Sequence, residues 1–462
     1  MHADARGLAL TASSADAVRH YDATVAAYLR FDKTIGDHLK ATLAADPEMP
    51  MALVLRGYFF RLFCKRDLES RATKSLEAAA ASLAARGGSD GEKGHIAALK
   101  AWCAGDFVGA VACWEAILLD QPRDIVALKL AHFGHFYMGD AENMRDSVAR
   151  SLYAWDTDTP GYGFVLGLRA FGLEESGDYA LAERVGRRAI EINPQDIWAA
   201  HAVAHVMEMQ GRPRDGAAWI DGLEDAWGHC NNFAYHVWWH RALFLLEQER
   251  FDAVLAHYDK KVRVDLTEEY LDICNAASLL WRLEQMGIDV GQRWSELAAC
   301  AARFKDEHIL AFIDAHYMMA LAADRRGEEA QTMIESLRAH ATLSPESEAQ
   351  IFGRIGGPLC EALFAYRRGD YGRAVDLLLP LRYAWRRIGG SHAQRDVFMR
   401  TLIEAAIRAG RLAVARALLA ERTALKPNDA WTWKSFARVL DGLKDTAGAT
   451  AARSRAYGLL SA

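Results

Sequence analysis

The stretch EINPQDIWAAHAVAHVMEMQGRPRDGAAW, Glu191 to Trp219, carries both of the marks that organise this chain. Pro194 ends one helix and lets the next begin, because proline has no N–H to give to a helix interior. A run with helical apolar spacing follows, and Gly211 breaks it before an Ala-rich run starts. The stretch therefore reads as proline turn, helix, glycine turn, helix.

Both marks recur in phase. The glycine mark stands at Gly105, Gly139, Gly177, Gly211, Gly287, Gly327, Gly369 and Gly410, with ERFDAVL at Glu249 filling the gap. The successive intervals are 34, 38, 34, 38, 38, 40, 42 and 41 residues. Weaker copies lie near Lys65 and Lys444. Pro122, Pro194 and Pro427 each follow a glycine by 17 residues, and Trp198 and Trp431 each follow their proline by 4. Two independent marks in one phase make the tetratricopeptide pattern. The expected fold class is all-α, a tetratricopeptide-type α-α superhelix forming a solenoid of about ten helical hairpins. Residues 61–462 form the repeats and residues 1–60 an N-terminal helical cap. The segments GRIGGPL (Gly353–Leu359) and RRIGGSHAQ (Arg386–Gln394) read as loops. Within the second, Ser391 and Gln394 fit a capping box.

Composition narrows the partners. A net charge of -6 with no basic run argues against nucleic acid, whose phosphates need clustered Lys and Arg. The 7 cysteines are scattered and form no CxxC pair, as expected of free thiols in a reducing compartment. The first residues lack a secretory apolar core, and no apolar run is long enough for a membrane span. The expectation is a soluble, cytoplasmic protein with neither a nucleic-acid nor a membrane partner.

Longer motifs then carry a resemblance. DARGLALT and YDAT near the start, QPRDIVALK, MRDSVAR, INPQDIWAAHAVAHVMEM, HVWWHRAL, VGQRW, HILAFIDAH and GGSHAQRDVF occur in this order. In these the chain resembles the tetratricopeptide repeat protein 38 family almost end to end. The resemblance implies a soluble helical-repeat protein and brings no settled activity. It also implies a richness in His and Asp at His201, His205, His236, His240, Asp314 and His316.

The spacing of those residues suggests chemistry. His201 and His205 stand four apart with Glu208 three further on, which puts all three on one helical face. His236 and His240 repeat the four-residue spacing one repeat later, on a helix expected to lie alongside at about 8–10 Å. In the repeat register His201 shares a column with Lys129 and Lys434, and His205 with Phe133 and Arg438. A column that admits lysine reads as groove rather than core. Two HxxxH pairs suit a divalent ion such as Zn or Fe, held by His201, His205, His236 and His240. Neither pair is HExxH, so a helix-borne general base is missing and no catalytic residue is assigned. The expected ligand-binding set is His201, His205, Glu208, His236, His240, Asp314, His316 and Arg395. Two functions follow. One is a binding protein that takes a small organic ligand or peptide in its concave channel, with or without a metal. The other is a metal-dependent hydrolase or related metalloenzyme using the same channel. An assembly scaffold is less favoured, because it has little need of clustered histidines.

Overall fold

A computed structural model describes residues 1–461. The fold is all-α and of the tetratricopeptide type, with consecutive helices packed as antiparallel hairpins. The only sheet among the described residues is a short antiparallel pairing of His2–Ala3 with Ala9–Leu10. No described helix is long and apolar enough to cross a membrane.

The glycine mark has a conformational cause. Gly105, Gly139, Gly177, Gly211, Gly287, Gly369 and Gly410 all have φ between 64° and 85°, the left-handed turn that ends the first helix of a hairpin. A Cβ is costly in that conformation, so glycine is preferred there. Where the pattern weakens, other residues take the same conformation: Cys64 at φ 50°, Glu249 at 57°, Arg325 at 59° and Lys444 at 66°. Gly327 is thus not the turn residue that the sequence suggested. It opens the Gly327–Leu343 helix two residues after Arg325 has made the turn.

An aspartate then starts the next helix. Asp106, Asp140, Asp178 and Asp370 cap the helices after glycine turns, accepting from Gly109, Asn143, Leu181 and Arg373 backbone N–H groups. Asp124, Asp196 and Asp429 do the same after the proline turns, accepting from Ala127, Ala199 and Thr432. Each cap is worth ~1 kcal/mol. The segment Gly353–Leu359, expected as a loop, is helical instead: a wide turn at Phe352–Gly356 runs into the Gly357–Arg367 helix. In the other expected loop Gly389 and Gly390 do have positive φ, and the Ser391–Gln394 capping box forms.

The chain divides into two compact units. The first comprises Met1–Val203, Leu223–Ala234 and Leu343–Gln350. Its interior is aromatic. Phe31, at φ 56°, stacks on Phe233 at 4.3 Å and on Trp198 at 5.9 Å. Lys129 is 2% exposed in this interior, its Nζ donating to the Tyr28 carbonyl at 2.8 Å and lying 4.0 Å from the Phe31 ring centre. The premise that a lysine column must be exposed therefore fails. A ring face and a peptide carbonyl together accommodate the amine, although burial pushes its pKa down to about 7.

The second unit comprises Ala204–Gly222, Tyr235–Thr342 and Ile351–Ala462. Here helices far apart in sequence meet. The Tyr270–Gln285 helix packs on both Ala311–Ala323 and His392–Arg408. Trp281 Nε1 and Gln285 Nε2 both donate to Thr401 Oγ1, at 3.0 and 2.9 Å. Asn428 Nδ2 donates to the Gln210 carbonyl at 3.1 Å, so the last hairpins return to the first helix segment of this unit. Arg422 ties them together, bonding Asp396, Asp429 at 2.9 Å and Thr432 at 2.7 Å. Replacing Arg422 with Met strands two carboxylates in a largely buried site and is expected to lower unfolding free energy by about 3–5 kcal/mol. Removing the more exposed Arg382–Glu421 pair with Arg382→Ala is expected to cost about 1 kcal/mol or less. Denaturant unfolding of both variants checks this, and similar losses would contradict it.

Candidate functional site

The Ile197–Met209 helix starts at the Asp196 cap and places His201, His205 and Glu208 along one side. The boundary between the two units falls within this unbroken helix, after Val203. His201 therefore belongs with the first unit, where it packs among Phe171 at 5.3 Å, Trp198 at 5.1 Å and Phe233 at 5.3 Å. His205 and Glu208 belong with the second unit, which also holds the Phe233–Glu247 helix from Tyr235 onward.

Within the second unit three imidazoles converge. The rings of His205 and His240 lie 4.4 Å apart, and those of His236 and His240 lie 4.8 Å apart. Each of the three offers a nitrogen within 4.8 Å of the other two. Tetrahedral zinc with Zn–N bonds of about 2.05 Å needs nitrogens roughly 3.3 Å apart, a spacing within that range.

The hydrogen bonds around these rings select their tautomers. His240 Nδ1 lies 2.9 Å from the Glu208 carboxylate, and His236 Nδ1 lies 3.0 Å from Asn275 Oδ1. Both partners accept, so each Nδ1 carries the hydrogen and each Nε2 carries the lone pair. A metal-binding histidine is held in this way, its far nitrogen donating to a carboxylate or an amide oxygen. Glu208 is thus an orienting group rather than a poised general base. Burial raises its pKa, with Lys426, His205 and Arg282 opposing that shift.

All eight residues expected at the site are buried, including Arg395 at 8% exposure. The structure brings together His205, Glu208, His236 and His240. Asp314 faces elsewhere, pairing with His308 at 2.9 Å, and His308 in turn reaches Ser336 at 2.8 Å. His316 Nδ1 donates to the Phe312 carbonyl at 2.7 Å, the partner expected of an ordinary interior histidine. Arg395 donates to the Gly390 carbonyl beside the glycine turn. Sequence reasoning missed Asn275 and Arg282. Their signal is a stripe on the helix YLDICNAASLLWRLEQ, where Asn275, Ser278 and Arg282 put polar groups at helical spacing within an apolar run.

No protein-family model matches the sequence. Among solved structures the chain is similar to a human IFIT1 dimer with PPP-AAAA, at 11% identity over 87% of this chain and 89% of that one, with TM-score 0.41. It is also similar to a chain of the APC/C hetero-tetramer Cut9–Hcn1, at 13% identity over 95% and 92% of the two chains, with TM-score 0.34. Likeness at this level says nothing about activity, and the fold assignment rests on the chain's own turns and hairpins.

Burial also sets the protonation of the histidines. It pushes His236 down to about 3, against the Asn275 hydrogen bond, and His316 down to about 4. Both rings are neutral at pH 7, the form that ligates metal. The consequence for stability has a definite sign. Below the ordinary histidine value of about 6.5 the unfolded chain takes up protons that the folded chain refuses, so stability falls as pH falls. Each such group loses about 1.4 kcal/mol per pH unit until its folded pKa is reached. Relative to a His316→Asn variant, the wild-type protein is expected to lose about 2 kcal/mol between pH 6.5 and 5. Urea unfolding at the two pH values measures this, and a pH-independent difference would contradict it.

Proposed function

We propose that this helical-repeat protein binds a divalent transition metal through His205, His236 and His240 and uses that centre to hold a small organic ligand. The observation that carries the reading is the convergence of three buried imidazoles, two of them with Nδ1 tied to acceptors. Nitrogen donors of intermediate softness suit Zn or Fe, with Glu208 and Asn275 as the groups that orient the donors.

A small ligand is favoured over a peptide tail. A peptide groove needs an open inner face, whereas the Tyr270–Gln285 and His392–Arg408 helices of the second unit are in direct contact. The motif resemblance to the tetratricopeptide repeat protein 38 family supports the repeat reading and adds no activity. One observation favours the enzymatic alternative. The second unit supplies three imidazoles, and three protein ligands leave a coordination position for water or substrate, as in catalytic rather than structural zinc sites.

Protein purified without an affinity tag is expected to carry about one Zn or Fe per chain by elemental analysis, as a site of this donor set requires. Glu208→Gln is expected to weaken metal affinity by roughly 10–100-fold in a chelator competition, because the carboxylate fixes His240. Metal-free wild-type protein that takes up neither ion on addition would overturn the reading.

A further inference from the structure

We infer that the ligand held at this centre carries a small oxyanion, a carboxylate or phosphate group, and that Arg282 is the residue that recognises it. Arg282 is 1% exposed on the Tyr270–Gln285 helix. Its hydrogen bonds go to two peptide carbonyls, Ser278 at 3.1 Å and Ala393 at 2.8 Å. Among the described residues no carboxylate lies within ion-pair distance of it. The acids that influence it from further away are already committed. Asp396 is bonded by two nitrogens of Arg422, and Glu208 by His240.

Nearby, a second arginine is in the same condition. Arg400 is 5% exposed and lies over the Trp431 ring at 4.2 Å. Its Nη2 touches Met286 Sδ at 3.5 Å, and its buried Nε has no hydrogen-bond partner. Met286 caps the helix that carries Arg282, and Arg400 sits on the helix whose Ala393 carbonyl Arg282 bonds. Two guanidinium groups therefore lie along one buried helix–helix seam, neither with a carboxylate at ion-pair distance. Asp429, Asp396 and Glu247 act on Arg400 only from beyond ion-pair distance, and a buried charge without a close counterion is costly.

Arg282 also borders the imidazoles. Its guanidinium carbon is 5.6 Å from the Trp239 ring centre. That same ring stacks on His236 at 5.4 Å and meets His240 edge-on at 4.8 Å. Asn275, two turns before Arg282 on the same helical face, holds His236. One helix thus both orients a metal donor and carries a guanidinium whose Nη1 and Nη2 each have a second N–H beyond the one given to a peptide carbonyl, donors of the kind that match carboxylate and phosphate oxygens. An oxyanion would supply a counterion at ion-pair distance.

The metal half of this inference rests on the reading of His205, His236 and His240 given above, whereas the anion half does not. Inorganic phosphate and succinate are to be titrated separately into zinc-loaded and zinc-free protein, for wild type, Arg282→Met and Arg282→Lys. At least one of the two anions is expected to bind the wild-type protein. Arg282→Met is expected to retain the wild-type zinc content and to bind that anion at least tenfold more weakly. Arg282→Lys keeps the charge but loses the fork, is the variant to use if the Met protein does not fold, and is also expected to bind at least tenfold more weakly. If the protein holds no zinc yet the anion binds in an Arg282-dependent way, the metal reading fails and this one stands. Undiminished anion binding in both variants, or no binding of either anion by wild-type protein, would overturn it.

Discussion

One backbone residue in every hairpin must adopt a left-handed conformation, and the repeat structure depends on that constraint. The turn fixes where the first helix ends, and after Gly105, Gly139, Gly177 and Gly369 an aspartate caps the second. The face that each residue of the first helix occupies is then set by its distance from the turn. His205 lies 6 residues before the turn at Gly211 and His240 lies 9 before the turn at Glu249, a difference of 3 residues that keeps both near one helical face. The imidazoles meet because the turns hold their helices in register.

Burial then gives those imidazoles their character. An exposed histidine titrates near neutrality and chooses its tautomer freely. Here desolvation keeps His236 neutral, and acceptors on Glu208 and Asn275 direct the hydrogens to the Nδ1 atoms. Desolvation also raises the cost of the nearby guanidinium groups, pushing the Arg282 pKa down to about 10. In both cases the interior holds polar groups in the form that a ligand can use, at a cost that apolar residues would not incur.

Much of this was legible in the sequence, and the exceptions have physical causes. The hairpin pattern was readable because glycine and proline report backbone conformation directly. Arg325 hid one turn because a left-handed arginine leaves no compositional trace, and Gly327 two residues later was read in its place. The pairing of His205 with His236 and His240 was readable from helical spacing plus one repeat. The grouping of Asp314 and His316 with them was not, because it needs the curvature of the chain, and a two-residue offset on one helix directs them to different sides, to His308 and to the Phe312 carbonyl. The inference from Lys129 failed because the internal register identifies a column but not its surroundings. Phe31, about a hundred residues earlier in the chain, supplies the ring that makes that lysine tolerable in the interior. Asn275 and Arg282 were visible as a polar stripe, but only the packed helices show what the stripe faces.

The central claim is that His205, His236 and His240 are arranged as ligands rather than as interior packing. Denaturant unfolding of metal-free protein with and without added zinc tests it directly, in wild type and in His205→Gln, which keeps most of the side-chain volume. Zinc at a hundred times its dissociation constant is expected to stabilise the wild-type protein by about 2.7 kcal/mol and the variant by little or nothing. Equal stabilisation of both proteins, or none in the wild type, would contradict the account.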